Sequence, residues 1–343
     1  MGIVACCGKE SQIQDLQNQR LLFTNTQSEK TNDGKENKLF YASNILKDDF
    51  EKIQLNFENS LKNQAEFISE KEFDEILIQK NEEIKKIDFP KEIENTEMCD
   101  SFKAPPIKFI NGEIYKGSWS VNNKKNGFGI NIYPDGLIYK GLWDGGTIGK
   151  YGLFLEENGN YYKGEIKHGK FNGKGEINIK DRYKYIGEFS SDMPDGKGYI
   201  EDVDKGFKYK GDMVKGKKEG KGILEYNDGT IYDGEFKNDA FNGEGRLKYK
   251  NGEYEGEFKE GKIKGKGKFT WEDGSIYVGE YDNFMKNGNG KFIWNKNKFY
   301  EGQWFNNHQH GTGFIYYNGK KLDGIFRFGK IIKERVNEQK KVI

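Results

Sequence analysis

From about residue 109 to about residue 330, apolar and polar positions alternate with a period of two, in short runs separated by turn-forming residues. In Tyr254-Glu255-Gly256-Glu257-Phe258 the aromatics and the glycine share one face of an extended chain, and the two glutamates face the other way. Gly265-Lys266-Gly267-Lys268-Phe269-Thr270-Trp271 does the same, with Gly, Gly, Phe and Trp opposed to Lys, Lys and Thr. Two such runs, joined by about six residues rich in Gly, Asn, Asp and Lys, predict a β-hairpin. The segments "NDG", "EDG" and "KNG" then turn the chain into the next hairpin.

The pattern recurs. Tyr-x-Gly stands at Tyr115 and Gly117, Tyr139 and Gly141, Tyr162 and Gly164, Tyr185 and Gly187, Tyr209 and Gly211, Tyr232 and Gly234, Tyr254 and Gly256, Tyr277 and Gly279, and Tyr300 and Gly302, every 22 to 24 residues. A worn tenth copy begins at Leu322. In most units a Gly-x-Gly follows nine residues after the first glycine, as at Gly243 and Gly245 or Gly265 and Gly267. The first unit carries one extra residue and uses Gly127 and Gly129, and the second has Lys150 in the first glycine slot but keeps Gly152. The second and fourth units depart most, with "DGGTIGKYG" and "IEDVDKG". A glycine on the buried face leaves a gap that a ring from a neighbouring unit can fill. A lone hairpin is marginal in water, so the units are expected to stack.

The unit Y-x-G-x-[W/F]…G-x-G…D-G resembles the MORN (membrane occupation and recognition nexus) repeat over roughly residues 109–330. The resemblance implies an all-β repeat fold, an elongated single-layer twisted sheet of stacked antiparallel β-hairpins. It also implies a non-catalytic module for membrane attachment, protein binding or self-association.

Other chemistry competes weakly with the repeat. Gly211–Lys218, "GDMVKGKK", fits seven-eighths of a phosphate-binding loop, but Lys218 stands where a hydroxyl must hold magnesium. Similar stretches start at Gly164, Gly256 and Gly324, so the glycines belong to a repeated turn, with Gly216 and Lys217 in it and lysine facing water. His308 and His310 lie in a turn without neighbouring Cys or clustered carboxylates, so neither a metal nor a cofactor is expected. No Gly-x-Ser-x-Gly elbow is present, and Cys99 stands alone outside the repeats. Aromatic residues make up 15% of the chain, which excludes a disordered one, and a net charge of +1 argues against a nucleic-acid binder. The charge is uneven: residues 1–108 hold about 15 basic and 21 acidic groups. Lys215, Lys217, Lys218, Lys262 and Lys264 crowd neighbouring turns and form a candidate contact for anionic lipid.

The first residues, "MGIVACCGK", supply a second signal. Removal of Met1 would expose Gly2 for myristoylation, with Cys6 and Cys7 placed for palmitoylation. One myristoyl chain binds membrane marginally and a second makes the anchor stable. The predicted organisation is an acylation segment at 1–8, a flexible polar linker at 9–43, a helical region at 44–104, the repeat array at 109–330 and a tail at 331–343. Leu46, Phe50, Ile53, Phe57 and Leu61 follow a helical period, and Ser69–Glu72 ("SEKE") reads as a capping box opening a second helix to about Lys86.

Together these features predict a membrane-anchored scaffold at the cytosolic face of a plasma or ciliary membrane, or at the cell cortex. Its repeats would bind a protein partner, a second copy or phospholipid. The alternative is a soluble structural subunit of a ciliary assembly, resembling radial-spoke head proteins, which would not need Gly2, Cys6 and Cys7.

Overall fold

The structure, a computed structural model, describes residues 56–61, 64–98 and 101–334, all within the compact unit Leu46–Ile343. Among the described residues, 23 strands form one sheet, and every pairing is antiparallel. From Ile114–Ser120 onward each strand pairs with its neighbours in the chain, so the repeats form one continuous meander.

One register holds the meander together. Gly117 faces Gly129, which faces Gly141, which faces Gly152, and the row continues, one glycine per strand, to Gly324. The later units keep it without exception: Gly234 faces Gly245, Gly256 faces Gly267, Gly279 faces Gly290 and Gly302 faces Gly313. The irregular second unit keeps this register through Gly152. The reason for glycine is close approach. At Gly245 a Cβ would lie 2.6 Å from both Cε2 and Oη of Tyr232, because the tyrosine ring lies flat over the glycine pair. All nine Tyr-x-Gly tyrosines are buried this way. Each hydroxyl donates to the backbone carbonyl three residues on, from Tyr115 to Ser118 (2.9 Å) through Tyr300 to Gln303 (2.8 Å). The aromatic two residues after the first glycine stands edge-on to its own tyrosine and to that of the preceding unit. Phe258, for instance, lies 5.2 Å from Tyr254 and 5.1 Å from Tyr232. Such pairs add roughly 0.5–1.5 kcal/mol beyond area burial. Ile166 and Met213 take this position in the third and fifth units, where the ladder of rings is interrupted.

The strands run farther than the alternation predicts. Most units close on two residues with positive φ, such as His168-Gly169 (52° and 72°) and Lys215-Gly216 (48° and 79°). These are tight primed turns matched to strand twist. The expected six-residue connection contracts to two because the first glycine of Gly-x-Gly is a bulge inside the strand. Gly196, at φ 112°, lies in the register shift opposite Gly187–Phe189. The polar residue after Tyr-x-Gly serves this bulge: Glu257 Oε1 accepts from Lys266 N (2.9 Å) and Gln303 Oε1 from Thr312 N (2.8 Å).

The segment before the repeats joins the sheet. Ala65–Phe67 pairs with Ile107–Phe109, which lies end to end with Ser101–Lys103 along Ile114–Ser120. Strands of three residues are too short for alternation to reveal, so the predicted helical region also supplies the sheet's leading edge. The N-cap half of the expected capping box forms, Ser69 Oγ accepting from Glu72 N at 3.1 Å. The helix Glu70–Lys80 ends earlier than expected, at Asn81, whose extended backbone starts a 3-10 turn over Glu82–Lys85. The Asn81 amide also donates to Glu156 O across the sheet at 2.7 Å. Phe73, Ile84 and Phe89 then bury against Ile114, Ile132, Ile138, Leu153 and Leu155, so this segment packs on the first three units. Full burial of such side chains is worth about 1.5–3 kcal/mol each. Phe57, from the helical turn 56–61, covers the other face, 4.8 Å from Trp119 and 5.4 Å from Phe102. Leu46, Phe50 and Ile53 lie outside the described residues.

Candidate functional site

The sheet offers two faces, and each holds charge differently. On the tyrosine face, the position nine residues after each tyrosine (ten in the first unit) points at the ring. Phe171 stacks on Tyr162 at 3.5 Å and Phe241 on Tyr232 at 3.8 Å. Lysines fill the same slot elsewhere. Lys125 lies over Tyr115 and Trp143 and is paired with Glu113. Lys218 lies over Phe207 and Tyr209, 3.4 Å from the Asp239 carboxylate. Asp202, from the irregular "IEDVDKG" stretch, is buried in an aromatic position and accepts from Lys205 N at 2.9 Å.

Lys286 differs from the other two. Its ammonium sits 4.8–5.5 Å from the ring centres of Trp271, Tyr277, Phe292 and Trp304, and it makes no ion pair among the described residues. Burial in this box pushes it down to about 8, below the ordinary lysine range. The unfolded chain therefore binds more protons at Lys286 than the folded one from about pH 8 upward, so stability rises with pH there. As pH rises past about 9 the buried tyrosines, all raised by desolvation, reverse the trend, because their unfolded counterparts begin to lose protons. Amide exchange in Ile276–Phe305 should slow relative to intrinsic rates between pH 8 and 9, and Lys286→Met should flatten that slope. A slope unchanged by the substitution would assign it elsewhere.

On the opposite face, the residue after each repeat tyrosine forms a row. Its first members are Lys116, Lys140 and Lys163, and the acidic N-terminal segment lies on them. Lys116 pairs with Glu70 and Asp74 beneath the Phe73 ring. Lys140 pairs with Glu94 beneath Phe89, at 4.8 Å from the ring centre. Lys163 donates to Asp88 O at 3.1 Å and lies 3.4 Å from Glu176. Between these lysines, Ile130 and Leu153 meet the apolar side of the segment. Residue types alone hid this site, because the grip depends on which strands stand side by side.

The other expected positions separate. The repeat glycines, among them Gly234, Gly279 and Gly302, line the sheet's central row under the tyrosine rings and leave no side chain there to contact a ligand. Gly2, Cys6, Cys7 and Cys99 lie outside the described residues. Gly211–Lys218 is a strand end, a turn at Lys215-Gly216 and a strand start. Lys217 therefore opens a strand rather than sitting in the turn. Lys215, Lys217 and Lys262 are exposed at or beside the within-unit turns, which all lie at one end of the strands. Lys264 is exposed but paired with Asp282 at 3.1 Å. Lys218 leaves the set: it stands on the inward side of its strand, and ring faces with the Asp239 carboxylate hold it there instead of water. His308 and His310 turn their rings to Phe328, and no cluster of three metal-binding side chains occurs among the described residues.

Known proteins share this repeat. The family model described as MORN repeat matches eight times, at residues 115–138, 162–177, 185–206, 209–231, 232–253, 254–276, 277–298 and 300–320. Curated relatives include Alsin of Homo sapiens and Alsin of Pan troglodytes. Each is 29% identical over 104 residues, which is 29% of this chain. The match spans only 6% of either relative's length. Among solved structures, the SAS-4 (dCPAP) TCP domain of Drosophila melanogaster, in complex with a proline-rich motif of Ana2 (dSTIL), aligns at 12% identity. That alignment covers 52% of this chain and 85% of that one, with a TM-score of 0.24, too low to carry an argument.

Proposed function

Because this chain belongs to the MORN repeat family, we propose that it is a non-catalytic scaffold, anchored to the cytosolic face of a membrane or the cell cortex, whose sheet binds a protein partner. The observation that supports this most is the grip of Lys116 and Lys140 on the chain's own segment. That contact uses an open sheet face, a spaced row of ammonium groups and apolar residues between them, which is binding chemistry without a reacting centre. The anchor rests on Gly2, Cys6 and Cys7, because two acyl chains make membrane attachment stable where one does not. Exposed Lys215, Lys217 and Lys262 would add attraction to anionic headgroups, about 1 kcal/mol per lysine near the surface.

The test is membrane fractionation of the tagged protein from its own cells, wild type beside Gly2→Ala and Cys6→Ser/Cys7→Ser. Wild type is expected to pellet with membrane and both variants to become soluble. If all three pellet alike and detergent releases them, the acyl anchor is wrong and the repeats themselves hold the membrane. If all three stay with a detergent-resistant axoneme, the protein is a structural subunit of a ciliary assembly instead.

A further inference from the structure

The row that grips the N-terminal segment continues beyond it. Lys140 stands between Ile130 and Leu153 on neighbouring strands, and the segment covers all three. Three units farther along, Lys210 stands between Tyr199 and Ile223 in the same register. Ile186, across from Tyr199, completes the stripe. Ile186 is 43% and Ile223 45% exposed, and Lys210 is exposed without an ion pair among the described residues.

The two places share chemistry and differ in occupancy. Over Lys140 lie the Phe89 ring and the Glu94 carboxylate, five residues apart in one segment. Next to Lys210, the parallel row of charges is already satisfied within the sheet: Lys184 pairs with Glu176 at 2.9 Å and Lys208 with Glu201 at 3.3 Å. Lys210 is left as the uncompensated charge between apolar neighbours.

We propose that Ile186, Tyr199, Lys210 and Ile223 form a docking site for an acidic amphipathic segment of a partner protein. An aromatic side chain of that segment covers the Lys210 ammonium, and a carboxylate about one turn farther on pairs with it. The inference rests on the reading that the sheet binds protein. Two features favour this occupant: the stripe is continuous with an interface that already holds such a segment, and the charges are complementary.

The experiment uses the full chain and a fluorescent synthetic peptide with the sequence of residues 69–95 as the probe. Binding is read by fluorescence anisotropy for wild type, Lys210→Glu, Ile186→Asp, Lys140→Glu and Val278→Asp. Circular dichroism verifies that each variant keeps its sheet. Lys210→Glu and Ile186→Asp are expected to weaken binding at least tenfold, and Val278→Asp, exposed on the same face, to leave it unchanged. A peptide with the Phe89 and Glu94 positions changed to Ala and Lys should lose a similar factor. If binding survives in Lys210→Glu and is lost in Lys140→Glu, the peptide merely replaces the resident segment. The docking site then falls while the protein-binding reading stands. If wild type binds no peptide, both fall. If phosphatidylserine vesicles bind wild type and lose Lys210→Glu, the occupant is a membrane and the proposal is wrong.

Discussion

Replacing Tyr232 by alanine is expected to cost about 3–5 kcal/mol of local stability, the range for deleting a large buried ring. Tyr232 is packed on all sides. Phe236 and Phe258 stand edge-on at 5.1 Å each, Phe241 stacks at 3.8 Å, and the hydroxyl donates to Glu235 O at 2.8 Å. Tyr232→Phe keeps the ring and leaves one carbonyl without its donor, which costs about 0.5–1.5 kcal/mol. The loss should be local, because each unit touches only its neighbours along the array. Hydrogen exchange resolved by unit is therefore the measurement. Protection should fall in the units of Tyr209, Tyr232 and Tyr254 and hold in those of Tyr139 and Tyr300. A uniform fall along the chain would mean that the array unfolds as one block, and the nearest-neighbour account would be wrong.

Gly245→Ala should be nearly as damaging, although it adds a single methyl group. Its Cβ would lie 2.6 Å from the Tyr232 ring, which cannot move aside between Phe236 and Phe258. Overpacking of this kind costs about 1–3 kcal/mol or more. Gly229→Ala is the control. It has φ 84° and open space around it, so it reports the cost of the left-handed backbone alone, roughly 1–2 kcal/mol. In the Tyr232→Ala background the cost of Gly245→Ala should shrink, because the ring it collides with is gone. Chemical denaturation of the four proteins gives the coupling. Additive costs would show that the glycine is required for some reason other than the ring above it.

The repeat itself was legible in the sequence because its physics is local. A tyrosine two positions before a glycine, recurring every 22 to 24 residues, states both the face and the period, and the structure keeps both. The lengths of the strands were not legible. The residues just before Gly196 and its equivalents, such as Met193–Asp195, look like loop residues and are strand, paired across a bulge at the glycine. The fate of Lys218 was hidden in a similar way. Its residue type points to water, while its position nine residues after Tyr209 points inward, and the inward position wins because rings and Asp239 stabilise the ammonium there. Lys116 and Lys140 were inconspicuous among 56 basic residues. Their meaning needs the glycine register, which sets them in one line, and the fold of Glu70–Glu94, which brings carboxylates over them.

The uniform glycine-to-glycine register has a metric consequence. Each unit contributes two strands, and neighbouring strands are about 4.8 Å apart, so each unit advances the sheet by about 10 Å. Losing a whole unit of 22 to 24 residues would still leave glycine opposite glycine at the new junction. The array therefore behaves as a ruler with fixed graduations. Sites on the same face, such as Lys140 and Lys210, are held a whole number of steps apart, and changing the number of units resets that separation without redesigning either site.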